Sequence, residues 1–168
     1  MSDPALRESH GSHPATSSPS PIRGRLGAGL GRIDPDAIAR AEAALKSLSS
    51  QFGQWLKDEV AKLEAARQAI CDDGVTAATM DQLYTRAHDL KGLGSTYEFP
   101  IITQISGSLC RLLGEGDKRL LASLLLVDAH LDAIRLVVRD DIRTSDAPPG
   151  QAIVARLNAQ VDQHFPAS

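Results

Sequence analysis

Aromatic residues are scarce in this chain of 168 residues, 4% against 42% for apolar residues as a whole. A core built here must therefore come from Leu, Ile, Val and Ala, which suits packed helices better than sheets. Cysteine is nearly missing too. Cys71 and Cys110 share neither a C-x-x-C nor a metal-ligand spacing, so each is expected to be a reduced packing residue. No run of 18 apolar residues occurs, which excludes a membrane-spanning helix by length. The N-terminus carries Ser, Pro and His where a secretory signal needs an apolar stretch, so the expected location is cytoplasmic. Charge is also undramatic: the net value is −3, with Arg7, Arg23, Arg25 and Arg32 against Asp3 and Glu8 giving +2 over residues 1–33 and −5 elsewhere. Neither part suggests nucleic acid as a partner.

What is present divides the chain in two. Residues 1–33, rich in Ser, Pro, Gly, His and Arg, offer little to bury and are expected to be a disordered tail, with His10 and His13 simply part of it. Residues 34–168 carry helical periodicity throughout. Asp34-Pro35 predicts a helix start, with a short helix to about Leu48 and a second, longer one from Ser49 or Ser50 to about Asp72, marked by Trp55, Leu56, Val60, Leu63 and Ile70. Thr76 predicts the N-cap of a third helix ending near Tyr97, and Pro100 the next break. A fourth helix is expected over 101–113, a turn over 114–117, a fifth helix over 118–140 with Leu120, Leu124, Val127, Leu131, Ile134 and Val138 as its seam, and a last one over 151–165. Short connections between helices of similar length predict an all-α fold, an antiparallel four-helix bundle with short accessory helices.

The informative stretch is RAHDLKGLGSTYEFP in the third helix. At 100° per residue, Leu83, Ala87, Leu90, Gly94 and Tyr97 share one face, which must be the core face. His88 lies roughly 130° round from the middle of that face, beside Asp81, Thr85, Gly92 and Ser95, and is expected to face water. Gly92 one turn on leaves an imidazole uncovered, at a cost in helix stability of about 0.5–1 kcal/mol relative to Ala. Lys91 stands on the flank. Neutral imidazole is a nucleophile near pH 7, and an ammonium beside it stabilises the negative charge of a phosphoryl group attached to the ring. His88 as nucleophile and Lys91 as electrostatic partner make a chemically sufficient pair.

The segment AHDLKGLGS resembles the signature of the histidine phosphotransfer (HPt) domains of two-component phosphorelays, in which the phosphorylated His is followed by Lys at the third position and Gly at the fourth. Here these are His88, Lys91 and Gly92. Many members carry a glycine ten residues after the His, where this chain has Glu98. The resemblance implies a phosphoryl carrier without kinase activity of its own, commonly monomeric. It would dock on receiver domains of response regulators or hybrid histidine kinases, whose aspartate and bound Mg²⁺ complete the site; no cofactor or metal is expected on this chain. The expected docking surface comprises Met80, Asp81, Tyr84, Thr85, Asp89, Leu93, Ser95 and Thr96 around His88.

Two other readings compete. HDL also resembles the dimerisation and phosphoacceptor segment of sensor kinases, where Asp89 would act as general base, but Gly92, Leu93 and Gly94 replace the usual continuation and no Gly-rich ATP-binding region follows. A scaffolding bundle with an idle His88 leaves the coincidence of Lys91, Gly92 and Ser95 unexplained. His130 and His164 lack a second ligand at helical spacing and are expected on helix surfaces, not at a metal site.

Overall fold

The computed structural model describes residues 34–165, so the expectations for residues 1–33, including His10 and His13, lie outside the described residues. Among these, all regular structure is helical: α1 (Pro35–Asp73), α2 (Ala77–Leu93), α3 (Pro100–Leu113), a 3₁₀ turn (Gly116–Leu121), α4 (Leu124–Arg139) and α5 (Pro148–His164). The chain divides into two units, residues 1–41 and 42–168. In the first, Asp34 opens α1 by accepting the backbone N–H groups of Ala37 and Ile38 on its carbonyl. The second holds the core.

That core is aliphatic, as the scarcity of rings requires. Leu56, Leu63, Ala66 and Ile70 of α1 join Met80, Leu83, Ala87 and Leu90 of α2, Ile101, Ile102, Ile105, Leu109 and Leu112 of α3, and Val127, Leu131, Ile134 and Val137 of α4. Leu157 and Val161 attach α5 to the same cluster. Cross-helix partners give the directions. Arg67 of α1 donates to both carboxylate oxygens of Asp128 (2.7 and 3.0 Å), whereas Glu64, earlier on α1, accepts from Arg135, later on α4 (2.6 Å). Opposite orders mean that α1 and α4 run antiparallel. On the other side, Phe52 and Trp55 of α1 stack against Tyr97 beyond the end of α2, with ring centroids 5.9 and 6.1 Å apart, while Glu59 and Lys62 face the middle of α2. Helix α3 packs on α2, α4 and α5, and Arg111 ties it to Asn158 and Asp162 of α5.

Several boundaries differ from the sequence expectation, each for a physical reason. α1 is one helix of 39 residues, with no break at Ser49-Ser50. Serine in mid-helix loses only a few tenths of a kcal/mol, roughly, against the residues around it, and neither Gly nor Pro stands there to stop propagation. α2 ends at Leu93, not near Tyr97, because the Ser95 N–H turns to the Thr103 hydroxyl (3.1 Å) instead of continuing the helical ladder, beside a Gly94 that is buried against α3. A Cβ on it would lie 2.7 Å from both the backbone N and the Oγ1 of Thr103, so only glycine permits the approach. The expected helix over 118–140 is a 3₁₀ turn followed by α4, whose first turn is capped by Ser123 accepting from the Leu126 N–H (3.4 Å). Leu120 consequently leaves the seam and is exposed. Cys71 and Trp55 are exposed as well, Cys71 accepting a hydrogen bond from Arg67 instead of packing.

His130 is the clearest correction. Expected on the surface, it is fully buried, three residues after Val127 and four before Ile134 on the inner face of α4. One ring nitrogen meets the Leu126 carbonyl (Nδ1, 2.6 Å) and the other the Ser108 hydroxyl of α3 (Nε2, 3.1 Å). Donation from Nδ1 to the carbonyl leaves Nε2 to accept from Ser108, so the neutral ring is fully satisfied. Burial pushes its pKa below the ordinary histidine value, although the Leu126 carbonyl opposes the shift.

Candidate functional site

The helix that carries His88 is framed before its side chains matter. Thr76 accepts the Thr79 N–H (3.1 Å) while Thr79 Oγ1 accepts the Thr76 N–H (3.0 Å), a reciprocal cap at the start of α2. At the other end Gly94 presses on Thr103, and the Thr103 hydroxyl accepts from the backbone of Ser95 (3.1 Å). Between them Leu83, Ala87, Leu90 and Gly94 are buried and Tyr97 half-buried, which is the core face read from the periodicity. His88 is exposed on the outer side.

The surroundings of the imidazole are unequal along the helix. Side chains in an α-helix lean towards its N-terminus, so the His88 ring lies over the turn of Tyr84 and a side chain at position 92 would lie over His88. Tyr84 is there: the two ring centroids are 6.1 Å apart, with planes tilted by 31°. Position 92 is glycine, and a Cβ built on it meets nothing within 4 Å. Thus the ring is flanked on one side and open on the other. His88 makes no hydrogen bond or ion pair among the described residues. It borders a groove of about 510 Å³ between α1 and α2, lined by Glu59, Lys62, Arg86, Asp89, Gly92 and Leu93 as well.

The charges of this groove are mostly paired locally. Lys62 donates to Glu59 (2.6 Å), and Arg86 lies 3.5 Å from Asp89. Lys91 is exposed and forms no ion pair among the described residues; its aliphatic stem runs along α3, with Cε 3.9 Å from where a Cβ on Gly107 would be. Its charge also bears on Cys110, whose thiol pKa is pushed up by burial and partly drawn back by Lys91 and Arg119.

Of the residues expected to surround His88, Asp81, Thr85, Ser95 and Thr96 are exposed, and Tyr84, Asp89 and Leu93 are half-buried. Met80 does not belong with them. It is fully buried, because position 80 falls on the same stripe as Leu83, Ala87 and Leu90 and closes the core at the start of α2. Beyond Leu93 the chain leaves the helix, so Ser95 belongs to a turn and not to a helical strip with His88 and Gly92; its hydroxyl lies 3.2 Å from Thr103 Oγ1. At Glu98 the backbone takes a left-handed conformation, φ 64°, that favours glycine. Arg143, which donates to the Glu98 carboxylate (3.0 Å), and Ser49 (3.4 Å) hold that side chain.

Sequence reading missed Glu59 and Lys62, which reach the groove only because α1 packs beside α2, and Arg119, brought from the 3₁₀ turn onto Tyr84. No local pattern signals any of the three. Among the described residues no cluster of three or more His, Cys, Asp or Glu could hold a metal ion. No helix there is long and apolar enough to cross a membrane. The chain matches no protein-family model, no curated protein and no solved structure.

Proposed function

We propose that this chain is a histidine phosphotransfer protein of the HPt kind, which takes a phosphoryl group from the aspartate of one receiver domain onto His88 and gives it to the aspartate of another. The observation that carries the proposal is an imidazole on the outer face of the bundle with open space over Gly92. A bulky, tetrahedral, anionic group can approach such a ring, whereas it could not approach His130. Two further features support the reading. Lys91 has no competing partner among the described residues and a flexible four-carbon stem, so its ammonium can swing to the oxygens of a phosphoryl group on His88. The left-handed backbone at Glu98 falls where members of that family often carry glycine.

The chemistry is a pair of displacements. A lone pair on the neutral ring attacks phosphorus of an aspartyl phosphate; the N–P bond forms as the P–O bond breaks, and the aspartate carboxylate leaves with the bonding electrons. The second step reverses this on another receiver. Lys91 offsets charge on the phosphoryl oxygens, and Mg²⁺ held by the receiver would do the same from the far side. No general base is needed on this chain, because the attacking nitrogen carries no proton. Asp89, paired with Arg86, is then a surface acid of the docking face. Tyr84, Thr85, Leu93, Ser95 and Thr96 with Asp81 make that face mixed polar and apolar, which suits a small transient contact. The protein would act as a cytoplasmic monomer.

The test is transfer from radiolabelled receiver domains to the purified chain. The expected product is an acid-labile, alkali-stable label on the wild-type chain and none on His88→Ala. Label persisting on His88→Ala would overturn the proposal.

A further inference from the structure

The phosphotransfer reading assigns no task to Arg119, yet its placement is costly and specific. It sits on the 3₁₀ turn between α3 and α4, and its guanidinium carbon lies 4.0 Å above the centroid of the Tyr84 ring. One terminal nitrogen pairs with the carboxylate of Asp81, one turn before Tyr84; the other donates to the Gly114 carbonyl (3.1 Å). The Nε atom is buried without a hydrogen-bond partner, an arrangement that folded proteins seldom tolerate without a compensating gain. Core packing does not supply that gain, because the 3₁₀ turn contributes no buried residue. The guanidinium acts instead as a clamp: planar, bidentate in donors and stacked on an aromatic face, it fixes the Tyr84 ring against the side of α2.

Tyr84 in turn flanks His88. We propose that Arg119 is a positioning residue for His88, acting through Tyr84: by holding that ring on the N-terminal side of the imidazole, it restricts the His88 ring and leaves the Gly92 side as the route for the phosphoryl group. This inference rests on the phosphotransfer reading for its consequence in rate, but its structural half does not. The pre-set ring saves the ordering that would otherwise fall on the transfer step. Asp81 belongs to the same device, since it anchors the guanidinium from α2 itself.

The experiment compares the purified full-length chain with Arg119→Ala, Arg119→Lys and Tyr84→Phe, reading helicity, the ring-proton NMR signals of His88, and the rate of transfer from a phosphorylated receiver. Arg119→Ala is expected to keep its helicity, move the His88 ring signals, and slow transfer about three- to tenfold, the range that a cation–π contact of ordinary strength allows. Arg119→Lys should restore part of both effects, and Tyr84→Phe should leave the His88 signals in place because the ring is retained. Unmoved His88 signals in Arg119→Ala, or signals that move with no change in transfer rate, overturn the inference. If Arg119→Ala unfolds, Asp81→Asn, which loosens the anchor while keeping the cation, decides the matter by the same two readings. A wild-type chain that accepts no phosphoryl group from any receiver sinks the phosphotransfer reading instead, and the NMR comparison still decides whether Arg119 positions His88.

Discussion

Two histidines of this bundle, His88 on α2 and His130 on α4, occupy opposite settings, and the contrast separates reactivity from stability. His88 is exposed, has no hydrogen-bond partner among the described residues, and faces open space over Gly92. His130 is fully buried, with the Leu126 carbonyl on one nitrogen and the Ser108 hydroxyl on the other. A satisfied ring has no lone pair to offer, and an unsatisfied one contributes little to folding. The same side chain is thus left uncommitted in one place and bound into the packing in the other.

Removing each ring in turn should have opposite effects. The largest effect expected is His88→Ala, with complete loss of phosphoryl acceptance while stability changes by no more than about 0.5 kcal/mol, as for most surface substitutions. Thermal denaturation beside the transfer assay checks both halves. His130→Ala should do the reverse, destabilising the fold by roughly 2–4 kcal/mol through the cavity and the unpaired Ser108 hydroxyl. Transfer per folded molecule should remain, as urea titration and kinetics on the same sample would show.

A smaller effect should come from acid. The folded-state pKa of His130 is lowered by burial, so the unfolded chain binds the proton more readily. The contribution is fully present above the unfolded value of about 6.5 and is lost as pH falls from there towards the folded value, with a slope of at most about 1.4 kcal/mol per pH unit. His130→Gln should flatten that part of the stability–pH curve; an unchanged slope would mean that another group carries it. Two neighbouring glycines should differ in sign. Gly92→Ala should stabilise α2 by about 0.5–1 kcal/mol, since its Cβ enters open space, whereas Gly94→Ala should destabilise it by about 1–3 kcal/mol through the clash with Thr103. Gly92→Leu, which extends a side chain over the imidazole, should slow transfer without lowering stability.

The sequence made His88 legible because its argument is local: Leu83, Ala87, Leu90 and Gly94 define a core stripe within four turns, and whatever lies off that stripe faces out. The all-helical class was legible for the same reason. His130 is not legible as a core residue from its type, since a polar side chain is expected outward, although Val127, Leu131, Ile134 and Val138 mark the seam beside it. Met80 is the opposite case: expected on the docking surface around His88, it is buried, and its spacing from Leu83 and Ala87 already puts it on the core stripe. The continuity of α1 and the start of α4 turn on serines, whose hydroxyl caps a helix at Ser123 but only rides along one at Ser49 and Ser50. Arg119, Glu59 and Lys62 lie about 30 residues from His88 in the chain. Only tertiary packing brings them near.

The frame of α2 has a last consequence. A cylinder gripped at one end by the Thr76–Thr79 cap and at the other by Gly94 seated on Thr103 cannot roll about its own axis, and the compass bearing of every side chain between them is set by those two grips. Loosening either one would swing the His88 ring off its bearing without touching a single atom of it, so under the proposed phosphotransfer reading a loss of transfer can originate several residues from the imidazole and still be felt as a change in aim.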